Sequence, residues 1–122
     1  MDDKRQIEIV LQTYIESMNK SDPEMVRAAF HENAKVTGYL HGDLVQLSTE
    51  DFAGFVSSQQ PSPSENGTNV EFEILNIEIE NSIAHVKIRD VYLGIIFLDI
   101  LSLLKVGEDW KIYNKLFNVE KE

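Results

Sequence analysis

Between Ile83 and Phe117 the chain reads as three consecutive antiparallel strands, a run that leaves few folds open. Ala84, Val86 and Ile88 alternate with His85, Lys87 and Arg89, the period of a strand with one buried face. Leu93-Gly94 suits a two-residue hairpin turn, which pairs Tyr92 with Ile95, Asp90 with Phe97, Ile88 with Asp99 and Val86 with Leu101. A four-residue turn at Val106 to Asp109 then pairs Lys105 with Trp110, Leu103 with Ile112, Leu101 with Asn114 and Asp99 with Leu116. On this register one face gathers Asp90, Tyr92, Phe97, Asp99, Trp110, Ile112 and Asn114. An ionised carboxylate on such a face is costly unless something pairs with it, so Asp90 and Asp99 are the first candidates for chemistry.

The opposite face is expected to carry Ile96, Leu98, Ile100, Leu104, Tyr113 and Phe117, edged by Lys87, Arg89, Lys111 and Lys115. A monomer would expose this apolar patch. Either a helix covers it, or the chain is a homodimer packed sheet to sheet, which is the reading we favour.

Upstream, Ile7, Val10, Leu11, Tyr14, Ile15 and Met18 recur at helical steps and predict an amphipathic helix from Asp3 to Asn19. Asp22-Pro23 restarts a helix, expected to bury Met25, Val26, Ala29 and Phe30 and to end near His31. Two short strands, Lys35 to Leu40 and Asp43 to Leu47, flank the turn His41-Gly42. Ser48 or Thr49 caps a third helix through about Ser58, with Phe52, Phe55 and Val56 inward. Pro61 to Gly67, rich in turn formers, is expected to be an exposed, mobile loop. Val70 to Glu80 is a further strand whose apolar phase switches near Leu75-Asn76, the mark of a bulge. The fold class is α+β, with one domain over residues 1–122.

Cysteine is absent, which removes disulfides and thiolate chemistry, and the first residues carry no apolar signal core. A soluble, cytoplasmic protein that does not enter a membrane is the expectation. The net charge of -10, with no basic stripe, argues against nucleic acid as a partner. Three dispersed histidines without short ligand spacing give no case for a metal, and no glycine-rich phosphate loop or dinucleotide fingerprint calls for a cofactor.

The order helix, helix, two short strands, helix, long bent sheet resembles the nuclear transport factor 2-like (cystatin-like) superfamily. The motifs Phe30-His31-Glu32-Asn33-Ala34, Gly38-Tyr39-Leu40-His41-Gly42, Leu98-Asp99-Ile100-Leu101-Ser102-Leu103-Leu104-Lys105 and Trp110-Lys111-Ile112-Tyr113-Asn114-Lys115-Leu116-Phe117 resemble its branch described as putative lumazine-binding. The resemblance covers nearly the whole chain. It implies helices packed on a strongly bent antiparallel sheet that forms a cone with an internal pocket. The superfamily holds isomerases, cyclases, dehydratases and epoxide hydrolases beside non-catalytic modules, so fold alone does not settle function.

Two readings of Asp99 stand: a pocket acid or base made available by desolvation, with Asp90 coupled to it, or an acceptor held by structural bonds. His31 either reaches the pocket rim as a proton shuttle or caps the helix before it. Tyr14, Phe52, Phe55, Tyr92, Phe97 and Trp110, with Asn114, either line a site for a small hydrophobic or ring-containing ligand or are core. The function expected is a small-ligand-binding homodimer. A cofactor-free acid/base isomerase, dehydratase or cyclase is the alternative, and a dimerisation module without ligand the third.

Overall fold

The computed structural model describes residues 2–122. Helix α1 spans Asp3–Asn19, with the Asp2 side chain accepting from the Arg5 N–H at its start. Helix α2, Pro23–Ala29, is capped by Asp22, whose carboxylate accepts from Glu24 N. These are the ends that acidic caps and an N1 proline specify.

Strand β1, Phe30–Leu40, begins where α2 stops. Phe30 therefore opens a strand instead of closing a helix, because it pairs with Ile112 of the last strand while Lys111 Nζ caps the Ala28 carbonyl. His41 and Gly42, both at positive φ, turn the chain into β2, Asp43–Ser48. Helix α3, Thr49–Ser58, starts with a reciprocal capping box between Ser48 and Asp51. The expected loop at 61–67 is not wholly loop. Ser62 and Glu65 form a second capping box around the single-turn helix α4, Pro63–Asn66, with Ser62 and Pro63 buried.

The long strands follow: β3 (Glu71–Glu80), β4 (Ile83–Tyr92), β5 (Ile95–Val106) and β6 (Asp109–Lys121). They form a six-stranded sheet in the order β2-β1-β6-β5-β4-β3, antiparallel throughout except where β1 runs parallel to β6. The β3 bulge falls between Ile74 and Asn76, and the β4–β5 register is the one the Leu93-Gly94 turn demands, both residues lying at positive φ. Val106 also pairs with Asp109, so the last turn is two residues long, in the same register as a four-residue one.

The β5–β6 pairing departs from the expected register past Leu103. Leu103 pairs with Ile112 but Ser102 pairs with Asn114, leaving Tyr113 as an extra residue on β6. Leu101 consequently faces Lys115, and Asp99 faces Phe117. Because side chains alternate, one extra residue moves Lys115 and Phe117 to the inner face and turns Asn114 and Leu116 away from it. The neighbouring strand yields at the same place: β1 is irregular between Phe30 and Lys35, and the His31 ring lies 4.8 Å from that of Tyr113.

The three longer helices cover the concave face of this α+β fold. Ile7, Leu11, Tyr14 and Met18 of α1 share one buried cluster with Val86, Ile88, Leu101 and Ile112 of the sheet. Each such fully buried aliphatic contributes roughly 1.5 to 3 kcal/mol. The convex face stays open, with Ile100 38%, Tyr113 40% and Leu116 46% exposed. Phe117, expected on that face, is absent from it. Among the described residues no helix is long and apolar enough to cross a membrane.

Candidate functional site

Between the helices and the outer end of the sheet lies an open cavity of about 310 Å³. Tyr14 and Met18 of α1, Phe52 and Phe55 of α3, and Phe97 and Phe117 of the sheet line it together with aliphatic side chains of β1, β2 and β5. Gly38 makes room for one side of it. A Cβ there would sit 2.2 Å from the Phe117 carbonyl oxygen and 2.6 Å from its ring, so only glycine lets Phe117 pack flat across β1.

Besides Tyr14, the lining includes the polar side chains of Asp90 and Tyr92, two apart on the buried face of β4, and of Lys115 of β6. Behind them Asp99 is fully buried and does not line the cavity. Tyr14 Oη donates to Asp99 Oδ2 at 2.8 Å, and Lys115 Nζ stands 3.9 Å from the same oxygen. The ammonium also lies over the rings of Tyr14, Phe52 and Phe117, at 4.8, 4.7 and 5.6 Å from their centroids. Lys115 is thus held by one carboxylate and three aromatic faces, with 7% of its surface left open.

Asp90 Oδ2 and Asp99 Oδ1 are buried and find no N–H or hydroxyl donor. The two carboxyl groups interact as neighbours, and a proton on Asp90 is favoured by the charge of Asp99. Burial first, and then the charge of Asp99, push the Asp90 carboxyl up to about 9, although Lys115 and Tyr14 pull the other way. Asp90 thus holds its proton well above the ordinary carboxylate range, beside the pair that Lys115 Nζ and Asp99 Oδ2 form at 3.9 Å. The same burial, with Asp99 next in importance, raises the Tyr14 phenol. Burial alone raises that of Tyr92, whose hydroxyl has no partner.

Of the residues that the sequence nominates, Tyr14, Phe52, Phe55, Tyr92, Phe97 and Asp90 meet at the cavity. Asp99 supports it from behind, as an acceptor of structural bonds. Trp110, Asn114 and His31 are not part of the lining. Trp110 Nε1 donates to Asp3 Oδ1 at 3.0 Å near the start of α1, and Asn114 is turned off the inner face by the bulge. His31 Nδ1 accepts from Asn33 N at 3.0 Å, beside Tyr113. The polar lining side chain missed from sequence is Lys115. Its signal is a phase switch in β6, where Trp110 and Ile112 are inward on even numbers and Phe117 on odd. Among the described residues no cluster of three or more histidine, cysteine or acidic side chains is arranged to hold a metal.

A family model described as "Putative lumazine-binding" matches residues 2–118. Among solved structures, an NTF2-like protein of unknown function from Methylobacillus flagellatus KT is 29% identical, with a TM-score of 0.82 over 98% of this chain and 94% of that one. An NTF-2 like protein of unknown function from Silicibacter pomeroyi DSS-3 is 20% identical, with a TM-score of 0.86 over 98% of this chain and 100% of that one. A domain of unknown function with a cystatin-like fold from Nostoc punctiforme PCC 73102 is 19% identical, with a TM-score of 0.71 over 98% of this chain and 78% of the other. Curated proteins give no significant match.

Proposed function

The chain belongs to the putative lumazine-binding family and carries its NTF2-like, cystatin-like α+β fold, and from that premise we propose that it is a homodimeric module holding a small ring-containing ligand in its cavity. The observation that carries this reading is an open, aromatic-walled cavity of about 310 Å³ with Asp90, Tyr92 and Lys115 among the residues that line it. The family description supports a ring, and the aromatic side chains of the wall suit one. Native mass spectrometry of the purified protein, followed by identification of any released molecule, tests it. Protein that carries no small molecule and takes up no aromatic probe at millimolar concentration would remove the reading.

The dimer is argued from the convex face, where Ile100, Tyr113 and Leu116 stand uncovered among Ile96, Leu98 and Leu104. Sedimentation of wild type against Leu98→Glu decides it: the variant should sediment as a monomer, and a folded variant that stays dimeric excludes this face.

A second reading rests on Asp90. A carboxyl that is neutral at physiological pH, with a carboxylate and an ammonium beside it, can give and take a proton as an acid/base isomerase, dehydratase or cyclase requires. Carboxyl carbon NMR titration checks the premise. Asp90 should titrate near 9, and a midpoint near the ordinary 3.8 would leave the protein without its acid.

A further inference from the structure

The convex face of the sheet carries its charge unevenly. Along the edge strand β3, Glu71, Glu73, Glu78 and Glu80 stand exposed on the side away from the helices, opposite the exposed residues of β4. Arg89 of β4 answers Glu73 at 3.2 Å. Among the described residues Glu78 and Glu80 form no ion pair, and neither does the exposed Lys35 of β1 on the other side of the face. Between them runs the apolar row of β5, Leu98, Ile100 and Leu104. Glu78 pairs with His85, His85 with Ser102, Ser102 with Asn114 and Asn114 with Lys35. Glu78 and Lys35 therefore lie on one line across the sheet, each two strands from β5. Beside that line a groove of about 510 Å³ runs from Glu78 and Glu80 across Ile83 and His85 to Tyr113, the extra residue of β6.

Resting on the homodimer reading above, we infer that two copies pack convex face to convex face with their twofold axis running along β5. In aligned sheet-on-sheet packing, an axis in that direction sets β3 over β1 of the second copy and β4 over its β6. Glu78 then meets Lys35 of the second copy, twice by symmetry, while Leu98 and Ile100 meet their own counterparts. Tyr113, raised by the bulge, enters the groove of the second copy at Ile83 and His85. An axis across the strands would instead lay β3 on β3, acid on acid, and joining the two β3 edges into one sheet would do the same. Charge thus selects one of the ways in which the apolar rows can meet.

Sedimentation equilibrium of the full chain at low salt tests the arrangement. Glu78→Lys and Lys35→Glu should each raise the dimer dissociation constant by about five- to tenfold, and the two together should return it to within about twofold of wild type. Tyr113→Ser should raise it by about tenfold or more. High salt should shrink the effect of the charge variants and spare that of Tyr113→Ser. All three side chains are exposed, and far-UV circular dichroism confirms that each variant is folded. An unchanged or tighter dimer in Glu78→Lys, no recovery in the double variant, or an unaltered Tyr113→Ser dimer overturns the β5 axis while the dimer reading survives. Wild type that sediments as a monomer at every concentration overturns both.

Discussion

Asp3 and Asp99 each meet one lysine and one aromatic donor, and each ties α1 to the β5–β6 hairpin. Asp3 Oδ1 accepts from Lys105 Nζ and Trp110 Nε1, both at 3.0 Å, and Asp99 Oδ2 accepts from Tyr14 Oη at 2.8 Å with Lys115 Nζ at 3.9 Å. The first clamp is open to water, with side chains 29% and 38% exposed, and the second is buried. In the first, the Trp110 bond and then Lys105 hold the Asp3 carboxyl below its usual value, the ordinary behaviour of a paired surface acid. In the second, burial and then the neighbouring Asp99 carboxylate push the Asp90 carboxyl up to about 9. An aspartate, a lysine and an aromatic donor form a fastening at the surface in one case and a buried charge cluster in the other, and solvent makes the difference.

The contrast is broken most directly by removing the buried lysine. Lys115→Met should cost about 3 to 5 kcal/mol in urea unfolding, because Asp99 is left charged and uncompensated, and adding Asp99→Leu should restore part of the loss. A loss under about 1 kcal/mol would mean that the interior pair behaves like an exposed one. Tyr14→Phe takes one donor from the same carboxylate and should cost about 1 to 3 kcal/mol, read from the same unfolding curves.

The two clamps should also respond to pH with opposite signs. Asp90 has a folded value near 9 against an ordinary 3.8, so the native chain binds the extra proton between those limits. Its stabilisation is fully present below 3.8 and is lost as pH rises towards 9, with a slope of at most about 1.4 kcal/mol per pH unit. Asp3, whose carboxyl is depressed, contributes stability that is present above 3.8 and lost as pH falls below it. Asp90→Asn should flatten the upper limb of a stability-against-pH curve and leave the acid limb in place. The smallest effect belongs to the surface: Lys105→Met should move the melting midpoint by no more than about 3 °C, and a larger shift would make the exposed clamp the stronger one.

The legible parts of this molecule are those with local causes. Helix α1 follows from its apolar stripe, the β4–β5 register from Leu93-Gly94 at positive φ, and the β3 bulge from a visible change of apolar phase. With that register came Asp90 beside Tyr92 and Asp99 inside the sheet. Helix α4 was legible too, since Ser62 and Glu65 stand at capping-box spacing with Pro63 at the first helical position, but the turn-forming composition outweighed that signal. Lys115 was not legible, because Leu116 and Phe117 are both apolar and either could mark the buried phase of β6. What decides between them is distant in sequence: the irregularity of β1 between Phe30 and Lys35, the His31 ring against Tyr113, and the gap that Gly38 leaves for Phe117. Phe30 is the same case, since its strand partner Ile112 is far along the chain.

The extra residue at Tyr113 also bears on how such a chain can diverge. Loss of that single codon would leave Asn114 directly after Ile112, still opposite Ser102, and would keep Lys115 and Phe117 on the inner face, opposite Leu101 and Asp99. The strand would lose its bulge and the ring that meets His31, and the chamber would keep its ammonium. A lineage could thus straighten the last strand by one in-frame deletion without touching the chamber wall. Along this family, a change of length at the middle of that strand is therefore a guide to the bend of the sheet, and substitutions in the wall are the guide to changes inside the chamber.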